Sequence, residues 1–212
     1  MKEKIVIVGN GMSCLNNENG SLIDSCETVI RIGQFKIEGF EKFVGTKFDV
    51  YSACNTKGPF YPGNDLDIIS FLEKYNIKSC REMWFMEPKI FCDQWYKGLF
   101  PSTGINIKYH DIFEDVIRNT SEEIQLLKVN KYYNYFEHKP STGILCIQKC
   151  LRETNVDNFE IFITGFDKKD DQWSGWYWDK SCVGRSNFKH NYELEKRIIE
   201  YYCDKNLIKR ID

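Results

Sequence analysis

Residues 5–8, Ile-Val-Ile-Val, form an unbroken β-branched run closed by Gly9, the pattern of a strand covered on both faces in a parallel sheet. Comparable short runs recur at 28–32, 48–52, 83–86 and 160–164. Elsewhere the period changes. Residues 66–75, 121–129, 144–153 and 192–204 carry helical spacing, with Ile144, Ile147 and Leu151 at i, i+3 and i+7, and Leu194, Ile198 and Tyr201 at i, i+4 and i+7. Strands alternating with helices predict an α/β fold with a mostly parallel sheet flanked by helices. Residues 33–46 and 165–189 follow neither period and read as irregular loops, the kind of segment that carries binding groups.

Two turns stand out against this pattern. The first, Gly9-Asn10-Gly11-Met12-Ser13-Cys14, begins like a dinucleotide fingerprint but has Cys14 where a third glycine would admit a closely packed helix. The segment that follows, "LNNENGSLID", is polar and broken by Gly20, and no acidic residue ends the second strand run. Asn10 suits another task, since its side-chain amide can bond a ribose hydroxyl or a phosphate oxygen directly. The second turn belongs to a repeated tetrapeptide, Pro-Ser-Thr-Gly, at 101–104 and 140–143. The first copy precedes the alternating "INIKYH" and reads as a turn into a strand. The second precedes the helical "ILCIQKCLRE", with Ser141 or Thr142 placed as N-cap. Unpaired N–H groups and the positive end of the helix dipole make Ser141, Thr142 and Gly143 either an ordinary capped helix start or an anion site, with the small residues allowing close approach.

Composition narrows the function classes. At 212 residues, 42% apolar and 15% aromatic, the chain fills one core well, and a single domain over 1–212 is expected. With 29 basic and 31 acidic residues the net charge is -2, which excludes a global field for nucleic acid or an anionic membrane. Nine cysteines form no CxxC pair, so neither a zinc site nor a disulfide framework is indicated. No signal-peptide pattern and no apolar run approaching about 18 residues is present. The expectation is a soluble, cytoplasmic protein with no metal or cofactor.

Histidine offers the remaining chemistry, at His110, His138 and His190. A histidine side chain titrates near pH 6.5 and serves readily as a general base. His190 opens the last helical stretch, "HNYELEKRIIEYY", directly after the aromatic loop. It reads either as a surface histidine at a helix start or as that base.

Three ordered stretches resemble the eukaryotic-type sialyltransferases of glycosyltransferase family 29. "IVGNGMSCLNNENGSLIDSCETVIRIGQFKIEGFEKFVGTK" is similar to their large sialylmotif, "PSTGILCIQKCLRETNVDNFEIFITGFD" to the small one, and "HNYELE" at 190–195 to the very small motif, a His followed five positions on by Glu. The likeness covers residues 4–47 and 140–200 and leaves the middle unmatched. The strand–Gly-Asn-Gly turn, the Ser-containing helix start and the late histidine also resemble bacterial family 42. The resemblance implies a Rossmann-like, GT-A-type domain that transfers sialic acid from CMP-sialic acid to a sugar hydroxyl with inversion and without metal. Asn10 and Gly11 would hold the nucleotide phosphate and ribose, Ser141, Thr142 and Gly143 the cytidine phosphate and donor carboxylate, and His190 would be the base. The implied partners are a CMP-sugar donor and a glycan acceptor.

Departures accompany the matches. Ile32-Gly33-Gln34 stands where the family has an asparagine expected to contact nucleotide, with Gln34 as a substitute. The third motif reads Trp176-Tyr177-Trp178-Asp179, so Tyr177 is a candidate phosphate ligand in place of the lost residue, or a packing aromatic. The family's Golgi members carry a membrane anchor and stem, neither of which is expected here. Asp65-Leu66-Asp67 matches a metal-binding string but reads as a helix cap. Trp84 reads as core, while Trp95 and the aromatics of 132–136 are candidates for either core or an acceptor cleft. Another CMP-linked acidic sugar, another nucleotide sugar, or binding without turnover are the alternative functions.

Overall fold

The computed structural model describes residues 2–33, 35–53, 80–86, 106–109, 141–155, 157–167, 176–179, 190 and 192–212. The expected helices at 66–75 and 121–129 lie outside these residues, as do Gln34, Asp65, Asp67, Trp95, His110, His138, the first Pro-Ser-Thr-Gly, the aromatics of 132–136 and most of 165–189.

Strands β1 (Glu3–Val8), β2 (Thr28–Ile32), β3 (Val50–Ala53), β4 (Glu82–Phe85), β5 (Asn106–Tyr109), β6 (Phe159–Thr164) and β7 (Lys209–Arg210) form one sheet in the order β5-β4-β3-β2-β1-β6-β7. Every neighbouring pair is parallel. The four-residue Ile-Val-Ile-Val run explains itself in β1: Ile5 and Ile7 enter one core and Val6 and Val8 the other, so both faces are apolar.

The first core lies under α3 (Thr142–Glu153) and α4 (Tyr192–Asp204), whose apolar stripes put Ile144, Ile147, Leu194 and Ile198 against β1, β2 and β6. A buried hydrogen bond from Gln148 Nε2 to the Tyr202 hydroxyl, 3.4 Å, joins the two helices. Trp84 sits in this core, with its indole N–H on Glu82 Oε2 at 2.7 Å and the Lys149 ammonium 4.5 Å from the ring centre. The second core lies under a 3-10 turn at Met12–Leu15 and two short helices, α1 (Gly20–Asp24) and α2 (Glu41–Val44).

These short helices are where the sequence reading needs correction. Gly20 opens α1 instead of breaking a segment, because a Cβ there would stand 2.1 Å from the Glu41 carbonyl oxygen where α1 meets α2. The stretch 33–46 is likewise not wholly irregular. Asp24 ties it down by accepting the Thr46 and Lys47 amides at 2.7 and 2.8 Å. Strand β3 starts two residues later than the apolar run suggests: the Asp49 amide still reaches the Val29 carbonyl at 3.0 Å, but the Val29 amide turns to the Asp49 carboxylate at 2.9 Å instead of a backbone carbonyl. Strand β7 is two exposed basic residues and has no pattern of its own.

Candidate functional site

Strand order reverses at β1: the chain runs outward through β2, β3, β4 and β5, then returns to the other side of β1 as β6. In an open parallel sheet this switch point leaves a crevice beyond the carboxyl ends of the two strands, the usual place for a ligand. The glycine turn after β1 and the Gly165-Phe166-Asp167 turn after β6 meet there.

Backbone approach at this junction is very close. The Gly9 amide donates to the Thr164 carbonyl at 2.8 Å and the Gly11 amide to the Gly165 carbonyl at 2.9 Å. A Cβ on Gly9 would lie 2.4 Å from the Gly165 oxygen, and one on Gly11 would lie 1.7 Å from Asp167 Oδ1. Cys14, at the position of the third fingerprint glycine, is 2% exposed and fits because Gly165 supplies the missing room. Gly165 has φ +74°, and a Cβ there would come 2.5 Å from the sulfur. Burial pushes the Cys14 thiol up to about 12, against a hydrogen bond from Thr164, so it stays neutral near pH 7.

Asn10 donates from Nδ2 to the Ile32 carbonyl at 2.7 Å, and its backbone oxygen accepts the Tyr177 amide at 2.9 Å. Its Oδ1 is shielded and has no hydrogen-bond partner among the described residues. An acceptor in that position is chemically matched to a hydroxyl donor, such as a ribose OH. The Tyr177 hydroxyl accepts the Lys36 amide at 3.1 Å and donates to the Lys36 carbonyl at 2.5 Å, and the ring meets Phe40 edge-on at 5.2 Å. Tyr177 is 2% exposed and clamps the 33–46 segment to the turn. Beside it, Trp176 and Trp178 stack at 4.6 Å.

The second turn resolves in favour of Ser141 as N-cap of α3, its Oγ accepting the Ile144 amide at 3.3 Å. The same hydroxyl donates to Glu195 Oε2 at 2.6 Å, and the Ser141 amide donates to Glu195 Oε1 at 2.7 Å. Glu195 is fully buried on the first turn of α4. It is the residue that site reasoning missed: the motif spacing named it, yet its partner 54 positions away is visible only in the fold. Glu195 also helps burial push the Tyr192 phenol up to about 12. Gly143 has a packing reason for lacking a side chain, since a Cβ would stand 2.7 Å from the Phe166 ring.

These contacts chain the sequence-predicted residues together. Asn10 and Gly11 touch the 165–167 turn and Tyr177, Phe166 packs on Gly143, Ser141 binds Glu195, and His190 stands two residues before the first residue of α4, its ring 5.7 Å from that of Tyr192. Two helix N-termini therefore sit side by side at the carboxyl edge of β1 and β6. Ser141 Oγ takes the Ile144 amide and its carbonyl the Leu145 amide, so Thr142 and Gly143 carry the first-turn N–H groups of α3 that the helix itself does not use. Among the described residues no group of His, Cys, Asp and Glu is arranged to hold a metal, and no helix is long and apolar enough to cross a membrane.

The family model of Glycosyltransferase family 29 (sialyltransferase) matches residues 3–207. The chain belongs to this family. Among curated sialyltransferases it is 22% identical to the lactosylceramide alpha-2,3-sialyltransferase of Rattus norvegicus over 209 residues, 93% of this chain and 54% of the relative. The corresponding Mus musculus enzyme is 21% identical over 208 residues, again 93% of this chain and 50% of the relative. The chain thus spans about half the length of the curated relatives it matches. Its fold is shared with a mammalian sialyltransferase solved with Gal-beta-1-3GalNAc-ortho-nitrophenol, at TM-score 0.60 and 18% identity over 99% of this chain and 69% of that one. It is shared also with the sialyltransferase CstII from Campylobacter jejuni, solved with cytidine-5'-monophosphate, at TM-score 0.55 and 16% identity over 99% and 79%.

Proposed function

We propose that this family 29 chain is a single GT-A-type domain, 1–212, that transfers sialic acid from CMP-sialic acid to a sugar hydroxyl with inversion and without metal. The observation that carries the reading is the Ser141–Glu195 clamp, which ties the start of α3 to the first turn of α4, the helix that His190 precedes, and so supports reading that edge as the donor's anion site.

In this reading the His190 imidazole accepts the acceptor's hydroxyl proton as that oxygen bonds to the anomeric carbon, on the face opposite the departing CMP. The glycosidic electron pair leaves on the phosphate, whose growing negative charge meets the Thr142 and Gly143 amides and the α3 dipole. Asn10 Oδ1 accepts a ribose hydroxyl, Gly11 keeps the turn thin, and Ser141 and Tyr177 hold the two walls in place. The buried free thiols at Cys14, Cys26, Cys80, Cys146 and Cys150 suit the reducing, cytoplasmic setting proposed with it.

Purified protein incubated with CMP-sialic acid and a galactose-terminated acceptor, in excess chelator, is expected to release CMP and form a sialylated product. His190→Ala should lower kcat by about 10²–10⁴-fold, the usual share of a general base, while CMP binding persists. Full activity in that variant rules out the assigned base. A second reading, a different CMP-linked acidic sugar, is favoured by Gly33, which leaves the space beside Asn10 Nδ2 without a side chain. Thermal shifts across a panel of nucleotide sugars separate the two.

A further inference from the structure

The segment that follows α4 runs past the family match at residues 3–207 and returns to the switch point over 208–212. Ile208 is buried, β7 pairs with β6, and the Ile211 amide donates to the Ile163 carbonyl at 3.1 Å while the Asn19 side chain donates to the Ile211 carbonyl. This delivers the Asp212 side chain, 3% exposed, between the two glycine turns. There Asp212 Oδ2 accepts the Ser13 hydroxyl at 2.5 Å and the Gly165 amide at 3.0 Å, and Arg210 Nε donates to Oδ1 at 3.0 Å. Ser13 belongs to the turn after β1 and Gly165 to the turn after β6, so one carboxylate joins both sides of the crevice.

We propose that Asp212 is a positioning residue for the donor site: it acts as a strap that fixes the turn bearing Asn10 and Gly11 against the turn bearing Asp167. The proposal rests on the donor-site reading above. A charge-assisted bond to each turn holds both in the bound geometry before ligand arrives, so less conformational freedom is lost on binding. Asp212 does not touch the donor in this arrangement, and its effect reaches the ligand through Ser13 and Gly165.

The test compares wild type with Asp212→Ala, Asp212→Asn and Ser13→Ala in three readouts: CMP affinity by calorimetry, the split between donor KM and kcat, and hydrogen exchange of the amides of 9–15 and 165. The strap predicts CMP binding weakened about tenfold in Asp212→Ala, KM rising by more than kcat falls, and faster exchange at Gly165. Ser13→Ala should show a smaller change that does not add to that of Asp212→Ala. The Asn variant keeps the shape and covers the case in which the Ala variant does not fold. Wild type that binds CMP alongside variants that bind it equally well, or whose kcat alone falls, overturns the strap and leaves the donor site standing. Wild type that does not bind CMP overturns both.

Discussion

Cys14 and Gly165 form a pair in which the bulk at one position depends on its absence at the other. A side chain at Gly165 would have to adopt φ +74° and enter the space of the Cys14 sulfur and the Gly9 carbonyl carbon, 2.8 Å away. Gly165→Ala is therefore expected to cost about 2–4 kcal/mol, combining left-handed strain with overpacking. Denaturant titration checks this. Adding Cys14→Gly should recover only part of the loss, because the clash with the Gly9 backbone remains. Legibility at this scale was uneven. Gly9, Asn10 and Gly11 announced a tight turn after β1, whereas the contacts of Gly143 with Phe166 and of Tyr177 with Lys36 depended on partners that no local pattern names.

Helices α3 and α4 were readable from their apolar stripes, and α4 has the bounds its period predicts. Their mutual placement was not, since a stripe shows which face is buried but not what covers it. Burial of Glu195 decides that placement, because a carboxylate without solvent must find donors, and Ser141 supplies two. Glu195→Ala strands the Ser141 amide and is expected to lower stability by about 2–3 kcal/mol, the scale of a lost bond to a charged group. It should also reduce CMP-sialic acid turnover, because the α3 amides lose their fixed direction. Glu195→Gln retains an acceptor for the Ser141 amide and should lie between the two. Chemical denaturation and initial rates read both effects. The short helices α1 and α2 escaped the reading because four or five residues are too few to show a period.

Across the whole molecule, the crevice depends on β6 and β7 being added to the opposite side of β1 from β2, with Asp212 closing the junction. Burial raises the Asp212 pKa, but bonds from Arg210 and Ser13, the Arg210 charge and the Gly165 amide together bring it below the usual carboxylate value. A carboxyl depressed in the folded state contributes stability that is fully present above its unfolded pKa, about 3.9, and is lost as pH falls through the lower folded value. The melting-temperature gap between wild type and Asp212→Asn should thus be constant above about pH 5 and narrow in more acid solution. A gap independent of pH across that range counts against a charged Asp212 at the junction. Features carried by near neighbours were legible along the chain: the β1 run, the helical stripes, the glycine turns and three motifs in order. Tertiary structure alone decided which motif residues are tied to which others. The deciding bonds span 54 residues at Ser141–Glu195 and 199 at Ser13–Asp212, and a bond between such distant residues imposes no period on the chain around either end.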